Sequence, residues 1–357
     1  MSAGLRPRGP DLRGRVLGGR YRLAEVLGCG GMADVYAGVD GVLQRAVAVK
    51  VLHPEHGRTG EQRRRFRQEA VLGAGIEHAH VMPVLDFGEE RGGEGEGALF
   101  LVMPRVEGVS LRTIALEGAV AWQRAVWLGM QALAGLGALH ERGVIHRDVK
   151  PENFVVRRRG GTEVVVLLDL GLAKVVEGPG VLSMAPRSGA GILGTVTYVS
   201  PEQAREEELT AASDVYAAGV TLYELLTRRP PFSGTTLEVI NAHVGQVPMG
   251  VREVAPEAGI PAGVEAVVMR ALAKRAEERY AEAGAFRAAL GEAMAEVGEV
   301  GEGEGTRGDG GTEEALAALA AWTSFEYGRA RELSRRAARL NRGWGPLVMI
   351  LDEVPEV

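Results

Sequence analysis

One octapeptide limits this chain more than any other feature. His146-Arg147-Asp148-Val149-Lys150-Pro151-Glu152-Asn153 is followed, sixteen residues after Asn153, by Asp169-Leu170-Gly171. Two carboxylates, an amide and an ammonium at this spacing are the parts needed to hold magnesium, a triphosphate and an attacking hydroxyl in one cleft. An eight-residue pattern that places an Asn five positions after the Asp rarely arises by chance.

Length and composition agree. At 357 residues the chain has room for a large two-lobed enzyme plus something small. A hydrophobic fraction of 46% supports a packed core, and a formal net charge of −6 argues against a nucleic-acid or anionic-membrane surface. Cys29 is the sole cysteine, which excludes an internal disulfide framework and fits a reducing compartment. No stretch approaches the roughly 18 to 20 apolar residues of a membrane span, and the start lacks the apolar core of a signal peptide. The expectation is a cytoplasmic protein without nucleic-acid partners or a membrane span. Of 41 basic residues only four are lysines, at 50, 150, 174 and 274. Two of these fall inside the motifs, where a compact ammonium suits phosphate oxygens better than a planar guanidinium.

Along the chain, residues 1–20 are rich in Arg, Gly and Pro without apolar periodicity and read as a disordered basic arm. Short β-rich runs follow at 21–27, 34–39 and 46–52, then a helix at 60–74 and strands at 81–87 and 98–104. The acidic, glycine-rich stretch 89–97 reads as a mobile loop. From residue 108 the period turns helical, with helices expected at 122–142, 213–226, 237–243, 263–273 and 281–297. Residues 293–312 form a Gly/Glu linker, and 313–357 a helical C-terminal segment. Within that segment, 321–340 resembles in part a tetratricopeptide repeat, against the alternative of a plain helix packing on the rest of the chain or on a partner. One such repeat cannot bury its own face.

Further motifs stand in order. Gly28-Cys29-Gly30-Gly31-Met32-Ala33-Asp34-Val35 lies between two expected strands, where glycines let backbone N–H groups approach phosphate oxygens. In Ala46-Val47-Ala48-Val49-Lys50, alternation puts Ala48 and Lys50 on one strand face. A lysine facing a cleft needs a counter-ion, and the helix at 60–74 offers Glu69. Leu101 to Gly108, Gly194 to Glu202, Ser213 to Gly219 and Lys274 to Tyr280 complete the set.

From Tyr21 to about Leu290 this order resembles that of the protein kinases, and in particular the bacterial eukaryotic-like serine/threonine kinases. The resemblance implies an α+β, bilobal protein-kinase fold. A small antiparallel β-sheet N-lobe with one helix (21–103) would join through a hinge (104–107) to a larger α-helical C-lobe (108–292). It implies an enzyme that transfers the γ-phosphate of ATP to serine or threonine hydroxyls of protein substrates, with Mg2+ as cofactor. Asp148 is the implied base, Lys150 balances charge on the transferring phosphate, and Asn153 and Asp169 ligate Mg2+. Lys50 holds the α and β phosphates while Glu69 fixes its rotamer.

The glycine loop (Gly28, Cys29, Gly30, Gly31, Met32) covers the nucleotide. Val35 and Ala48 from above and Val155 from below clamp adenine, with Met103, Pro104 and Val106 at the hinge. Tyrosine specificity is disfavoured because the proline-rich sequence usual near its docking end is absent. Arg147 implies an activation loop ordered by a phosphate, with Ser183 or Ser188 as the autophosphorylation site and self-association as the route. Thr195 matches a residue that contacts base and lysine, Asp214 one that holds the catalytic-loop backbone, and Arg279 one that pairs with Glu202. Ala33, Pro104, Leu170 and Ser200 depart from the family's commonest residues. The rival reading is an ATP-binding pseudokinase scaffold, which commonly lacks the base, the lysine or a metal ligand; all are present here.

Overall fold

The computed structural model describes residues 6–57, 60–90, 97–118, 120–159, 162–170, 174–175 and 196–300. The chain divides into two units, one built from the residues up to Glu107 plus Leu168–Lys174, the other from Gly108–Leu167 and the residues from Val175 onward. Ser183, Ser188, Thr195, the stretch 91–96 and everything after Val300 lie outside the described residues.

The first unit is an antiparallel sheet of six strands in the order β1-β2-β3-β4-β6-β5. Its strands are β1 (Val16–Leu17), β2 (Tyr21–Cys29), β3 (Ala33–Asp40), β4 (Arg45–Leu52), β5 (Asp86–Glu89) and β6 (Leu99–Pro104). Two helices interrupt the order, a single turn α1 (Pro54–Gly57) and the fifteen-residue α2 (Gly60–Ala74). Alternation along β4 decides which side of the sheet is core. Val47, Val49 and Val51 join Leu23, Tyr36, Phe100 and Val102 in one apolar cluster, which leaves Ala48 and Lys50 on the opposite face. The strand expected at 81–87 begins later, at Asp86; Pro83 cannot donate to a ladder.

The disordered arm expected over 1–20 does not hold for residues 6–20. Leu12 and Leu17 are buried in the sheet's core cluster, and β1 pairs with β2. The backbone N–H groups of Arg8 and Gly9 both donate to Asp34 Oδ2 at 3.0 Å, and Tyr36 Oη donates to the carbonyl of Pro10 at 3.2 Å. Asp34 is 2% exposed, and a carboxylate at that depth requires donors. The arm's own backbone supplies them.

The second unit is mostly helical. A short sheet of β7 (Val109–Ser110), β9 (Phe154–Arg159) and β10 (Thr162–Leu167) accompanies it, with β8 (Val144–Ile145) leading into the loop 146–153. The helices are α3 (Leu111–Glu117), α4 (Trp122–His140), α5 (Pro201–Ala204), α6 (Ala211–Thr227), α7 (Thr236–Gly245), α8 (Val251–Val254), α9 (Ala262–Ala271) and α10 (Ala283–Val300). Every residue of α4 from Ala125 to Leu139 is buried, as is every residue of α6 from Ala212 to Thr227. Helices buried on every side form the centre of a domain rather than its skin, and polar side chains they carry, such as Asp214 and Glu224, are bonded there. They pack closely where a Cβ on Gly129 would stand 3.0 Å from Leu222 Cδ1.

Helix α10 runs to Val300, so the linker expected from 293 begins no earlier than 301. Ala293 and Ala295 are buried, and Ala293 lies beside Gly263 of α9, so small residues in a glycine-rich stretch continue the packed helix face.

Candidate active site

In the first unit, cross-strand register assembles one mostly apolar face that carries Lys50. Val35 pairs with Lys50, and Ala48 pairs with Met103. Directly opposite residues point to the same side, so Val35, Ala48, Lys50 and Met103 share the face turned away from the valine core. Pro104 ends β6, and Val106 follows half-buried. The turn between β2 and β3 closes with Gly30 N–H donating to the Ala33 carbonyl at 2.9 Å. A Cβ on Gly30 would crowd that same oxygen, so the position requires glycine. Gly28 and Cys29 are the last ladder residues of β2, opposite Val35 and Asp34, and Gly31 and Met32 complete the turn.

Lys50 Nζ donates to Glu69 Oε1 at 2.7 Å and to Asp169 Oδ1 at 2.8 Å. Burial pushes the ammonium's pKa down, but the charges of Asp169 and Glu69 outweigh it, and the net direction is up. Burial raises the Glu69 carboxyl to about 7, the nearby Asp169 adds to that rise, and Lys50 opposes it. Lys50 and Glu69 thus pair in a poorly hydrated place, while Asp169, 43% exposed at its side chain, reaches the same ammonium from a more open side. Leu170, next to Asp169, is buried, with its Cδ1 3.7 Å from where a Gly73 Cβ would stand on α2. Leucine therefore fills an apolar space against α2 while its neighbour faces the lysine.

Cys29 Sγ–H donates to the Arg6 carbonyl at 3.0 Å, and burial followed by the nearby Asp34 pushes the thiol's pKa up. Such a thiol is a poor nucleophile. His53, Glu55 and His56 bring three candidate ligand atoms within 4.8 Å of one another. The two nitrogens of His56 already meet Gln62 Oε1 at 3.1 Å and the Gly31 carbonyl at 3.0 Å, so the group forms a clasp on the glycine turn.

In the second unit the loop 146–153 follows β8. Arg147 adopts φ 71°, a left-handed conformation costly for a residue with a Cβ, of order 1–3 kcal/mol. Asp214 of α6 holds it there. Its carboxylate accepts from His146 N–H at 2.7 Å, from Arg147 N–H at 2.8 Å and from His140 Nε2 at 3.0 Å. Lys150 Nζ donates to Asp148 Oδ2 at 2.5 Å, and Asn153 Nδ2 donates to the Asp148 carbonyl at 2.8 Å. That bond fixes the Asn153 amide with its oxygen left as the acceptor end. Val155 follows on β9, half-buried.

The segment after residue 195 is anchored at several points. Gln203 Nε2 donates to the Arg147 carbonyl at 2.7 Å, and Gln203 closes a capping box with Ser200 at the start of α5. Tyr198 Oη donates to Glu224 Oε2 at 2.6 Å. Glu202 and Arg279 form a two-point buried pair at 2.7 and 3.0 Å. Among these, Gln203, Tyr198 and Glu224 were not anticipated; only the Ser200-x-x-Gln203 spacing carried a signal.

Asn153 and Asp169 offer the hard oxygen donors that suit Mg2+. No helix among the described residues is long and apolar enough to cross a membrane.

A model of the protein kinase domain family matches residues 21–286. Serine/threonine-protein kinase PknB of Mycobacterium tuberculosis is 40% identical over 276 residues, which cover 77% of this chain and 43% of that protein. Serine/threonine-protein kinase pkn2 of Myxococcus xanthus is 40% identical over 266 residues, 74% of this chain and 31% of its own length. The chain thus matches less than half the length of these curated relatives. The crystal structure of the Mycobacterium tuberculosis PknI kinase domain is similar with a TM-score of 0.59 at 25% identity, covering 80% of this chain and 100% of that one.

Proposed function

The chain belongs to the protein kinase family and has its fold, and we propose that it transfers the γ-phosphate of ATP to serine and threonine hydroxyls of proteins. The observation that carries this reading is the pairing of Lys50 with both Glu69 and Asp169 in one unit, alongside an oriented Asp148 and Asn153 in the other. A scaffold without activity has no use for the base and the metal donors together.

In this reading Lys50 binds the α and β phosphates, and Glu69 keeps the ammonium from swinging away as phosphate competes for it. Asp148 receives the acceptor hydroxyl's proton at Oδ1, because Lys150 already occupies Oδ2. Lys150 then lies beside the phosphoryl group and offsets its charge. Mg2+ held by Asn153 and Asp169 would neutralise phosphate oxygens during transfer. The glycine turn, Val35, Ala48, Met103, Pro104 and Val106 bind the nucleotide from the first unit, and Val155 from the second. The segment closing at Glu202 docks the acceptor, and activation-loop autophosphorylation at Ser183 or Ser188, through self-association, belongs to the same reading. A kinase spanning 21–292 with a separate tail is its domain plan.

The test is phosphoryl transfer from labelled ATP with magnesium to a panel of acceptor proteins. Asp148→Asn is expected to lower the rate by about 10² to 10⁴ while nucleotide affinity holds. Transfer equal to that of the unaltered protein removes Asp148 as base, and no transfer by either points to the scaffold.

A further inference from the structure

Four polar groups from four separate parts of the second unit form one chain of hydrogen bonds. Lys274 Nζ lies 3.0 Å from Tyr216 Oη, Tyr216 Oη lies 2.9 Å from His243 Nδ1, and His243 Nε2 lies 2.9 Å from the carbonyl oxygen of Thr197. Tyr216 and His243 are each 0% exposed. Lys274 follows α9, Tyr216 lies on α6, His243 on α7, and Thr197 in the short turn that opens the 196–202 segment.

The chemistry of the two ends sets the direction of every proton between them. A carbonyl oxygen only accepts, so His243 must carry its hydrogen on Nε2. An ammonium only donates, so the Tyr216 oxygen accepts from Lys274 and its own hydrogen turns to His243 Nδ1. A neutral imidazole with Nε2–H has its lone pair at Nδ1, which is what that hydroxyl needs. One assignment satisfies all three contacts. Burial and then the charge of Lys274 push His243 down to about 4, which keeps the ring neutral. Burial, Arg279 and Arg205 lower Lys274 to about 8, which leaves it cationic at neutral pH.

The surroundings hold the chain in place. The Lys274 ammonium stands 4.7 Å above the Phe232 ring and 5.2 Å from the Tyr216 ring, and Phe232 meets the His243 ring edge-on at 5.0 Å. Arg279 Nη2 donates to the Lys274 carbonyl at 3.0 Å, which ties the relay to the Glu202 pair. Thr197 is therefore fixed through its backbone, Tyr198 through its hydroxyl on Glu224, and Glu202 through Arg279.

We propose that Lys274, Tyr216 and His243 are positioning residues for the acceptor protein: they select a single imidazole tautomer, and that tautomer sets the backbone carbonyl of Thr197 in the docking segment. This deepens the kinase reading and rests on it for the role of that segment. Side-chain anchors fix where Tyr198 and Glu202 lie, and the Val199 N–H closes the turn on the Val196 carbonyl at 3.3 Å; among the described residues it is the imidazole that bonds the Thr197 carbonyl and so sets which way the 197–198 peptide plane faces. A peptide plane free to turn over would present a different edge to an extended acceptor. None of the three residues touches substrate in this scheme.

The experiment uses the full chain with the best acceptor peptide from a serine/threonine positional library. Tyr216→Phe keeps the ring and its packing but leaves His243 Nδ1 without its donor. His243→Gln retains an amide N–H that can reach the Thr197 carbonyl. For Tyr216→Phe and His243→Ala the KM for acceptor peptide is expected to rise by about 3- to 10-fold, the range that one lost hydrogen bond supports. The KM for ATP and kcat should stay within about twofold, and His243→Gln should recover most of the acceptor KM.

Nitrogen-15 spectra of labelled histidine give an independent reading. His243 should show the Nε2–H tautomer in the unaltered protein and lose that bias in Tyr216→Phe. The inference is overturned by an unchanged acceptor KM in both variants, by an equal rise in the KM for ATP, or by an Nδ1–H tautomer in the unaltered protein. If the unaltered protein transfers no phosphate at all, the kinase reading fails instead, and the spectra still decide the tautomer.

Discussion

Gly73→Ala on α2 tests whether the spacing of that helix controls the Lys50 pair. A Cβ built at Gly73 overlaps Val84 Cγ2, stands 3.4 Å from Val84 Cβ and 3.7 Å from Leu170 Cδ1. Glu69 lies one helical turn earlier, at the i−4 position, so both residues occupy one face of α2. Two effects oppose each other in this variant. Alanine is the better helix former by about 1 kcal/mol, whereas forcing a methyl into filled space costs about 1–3 kcal/mol. The overlap involves a methyl of a stiff β-branched side chain, two bonds from the Val84 Cα, rather than the far end of a long flexible chain, so the steric cost prevails. A net loss of up to about 2 kcal/mol lowers Tm by up to about 8 °C in a domain of this size.

The functional cost is larger than the thermal one. If α2 relieves the overlap by moving off the 84–85 segment, it carries Glu69 away from Lys50. A charge-assisted hydrogen bond contributes about 1.5–3 kcal/mol, so kcat/KM should fall by about tenfold to a hundredfold. Val84→Ala removes the overlapping carbons. The double variant should regain activity to the level of Val84→Ala alone, with a coupling of about 1–3 kcal/mol in the cycle. Differential scanning fluorimetry and steady-state transfer are the assays. A Gly73→Ala protein as active as the original, or one that Val84→Ala fails to rescue, refutes the reasoning.

What was legible in the sequence was mostly what is local. The Asp148 to Asn153 loop, its lysine and its amide lie within six residues, and β4 shows its two faces by alternation alone. The Lys50 and Asp169 contact joins residues 119 apart; only the resemblance to a known order of motifs made that pairing foreseeable. Thr197, Tyr216 and Lys274 lie inside motif stretches, but the resemblance implies no bond among them or with His243. Each is an ordinary polar residue in its own window, and its role exists only once three helices have packed. The β9 and β10 hairpin was overlooked although Gly160-Gly161 separates two β-branched runs, the usual mark of a two-residue turn. The arm at 6–20 was misread because Arg, Gly and Pro signal disorder by composition. Composition is blind to a buried carboxylate elsewhere that needs two backbone donors.

Two further outcomes follow from buried charge. Glu202→Ala leaves the Arg279 guanidinium, 0% exposed at its side chain, without its partner, and should cost about 3–5 kcal/mol, a Tm fall of about 6–20 °C at neutral pH. Burial raises the Glu202 carboxyl, but Arg279 holds it below its ordinary 4.5, so this stabilisation is present above that value and is lost as pH falls through the lower folded one; the Tm gap between variant and original should close below about pH 4.5. The last concerns the arm, where removal of residues 1–15 distinguishes a strap from a loose tail. The deletion strips Leu12 from the core, worth about 1.5–3 kcal/mol, and takes the Arg8 and Gly9 donors from Asp34. Asp34 sits between the glycine turn and Val35 on β3 and keeps His53 Nε2, 3.0 Å from its Oδ2, but loses the arm's two donors, so the turn should loosen and the KM for ATP should rise as Tm falls. Asp34→Asn in the full chain should reproduce the KM effect with a smaller thermal one, because Leu12 stays buried. If the deletion changes neither quantity, the contacts of residues 6–15 contribute nothing in solution, and the arm is the solvated tail that its composition suggests.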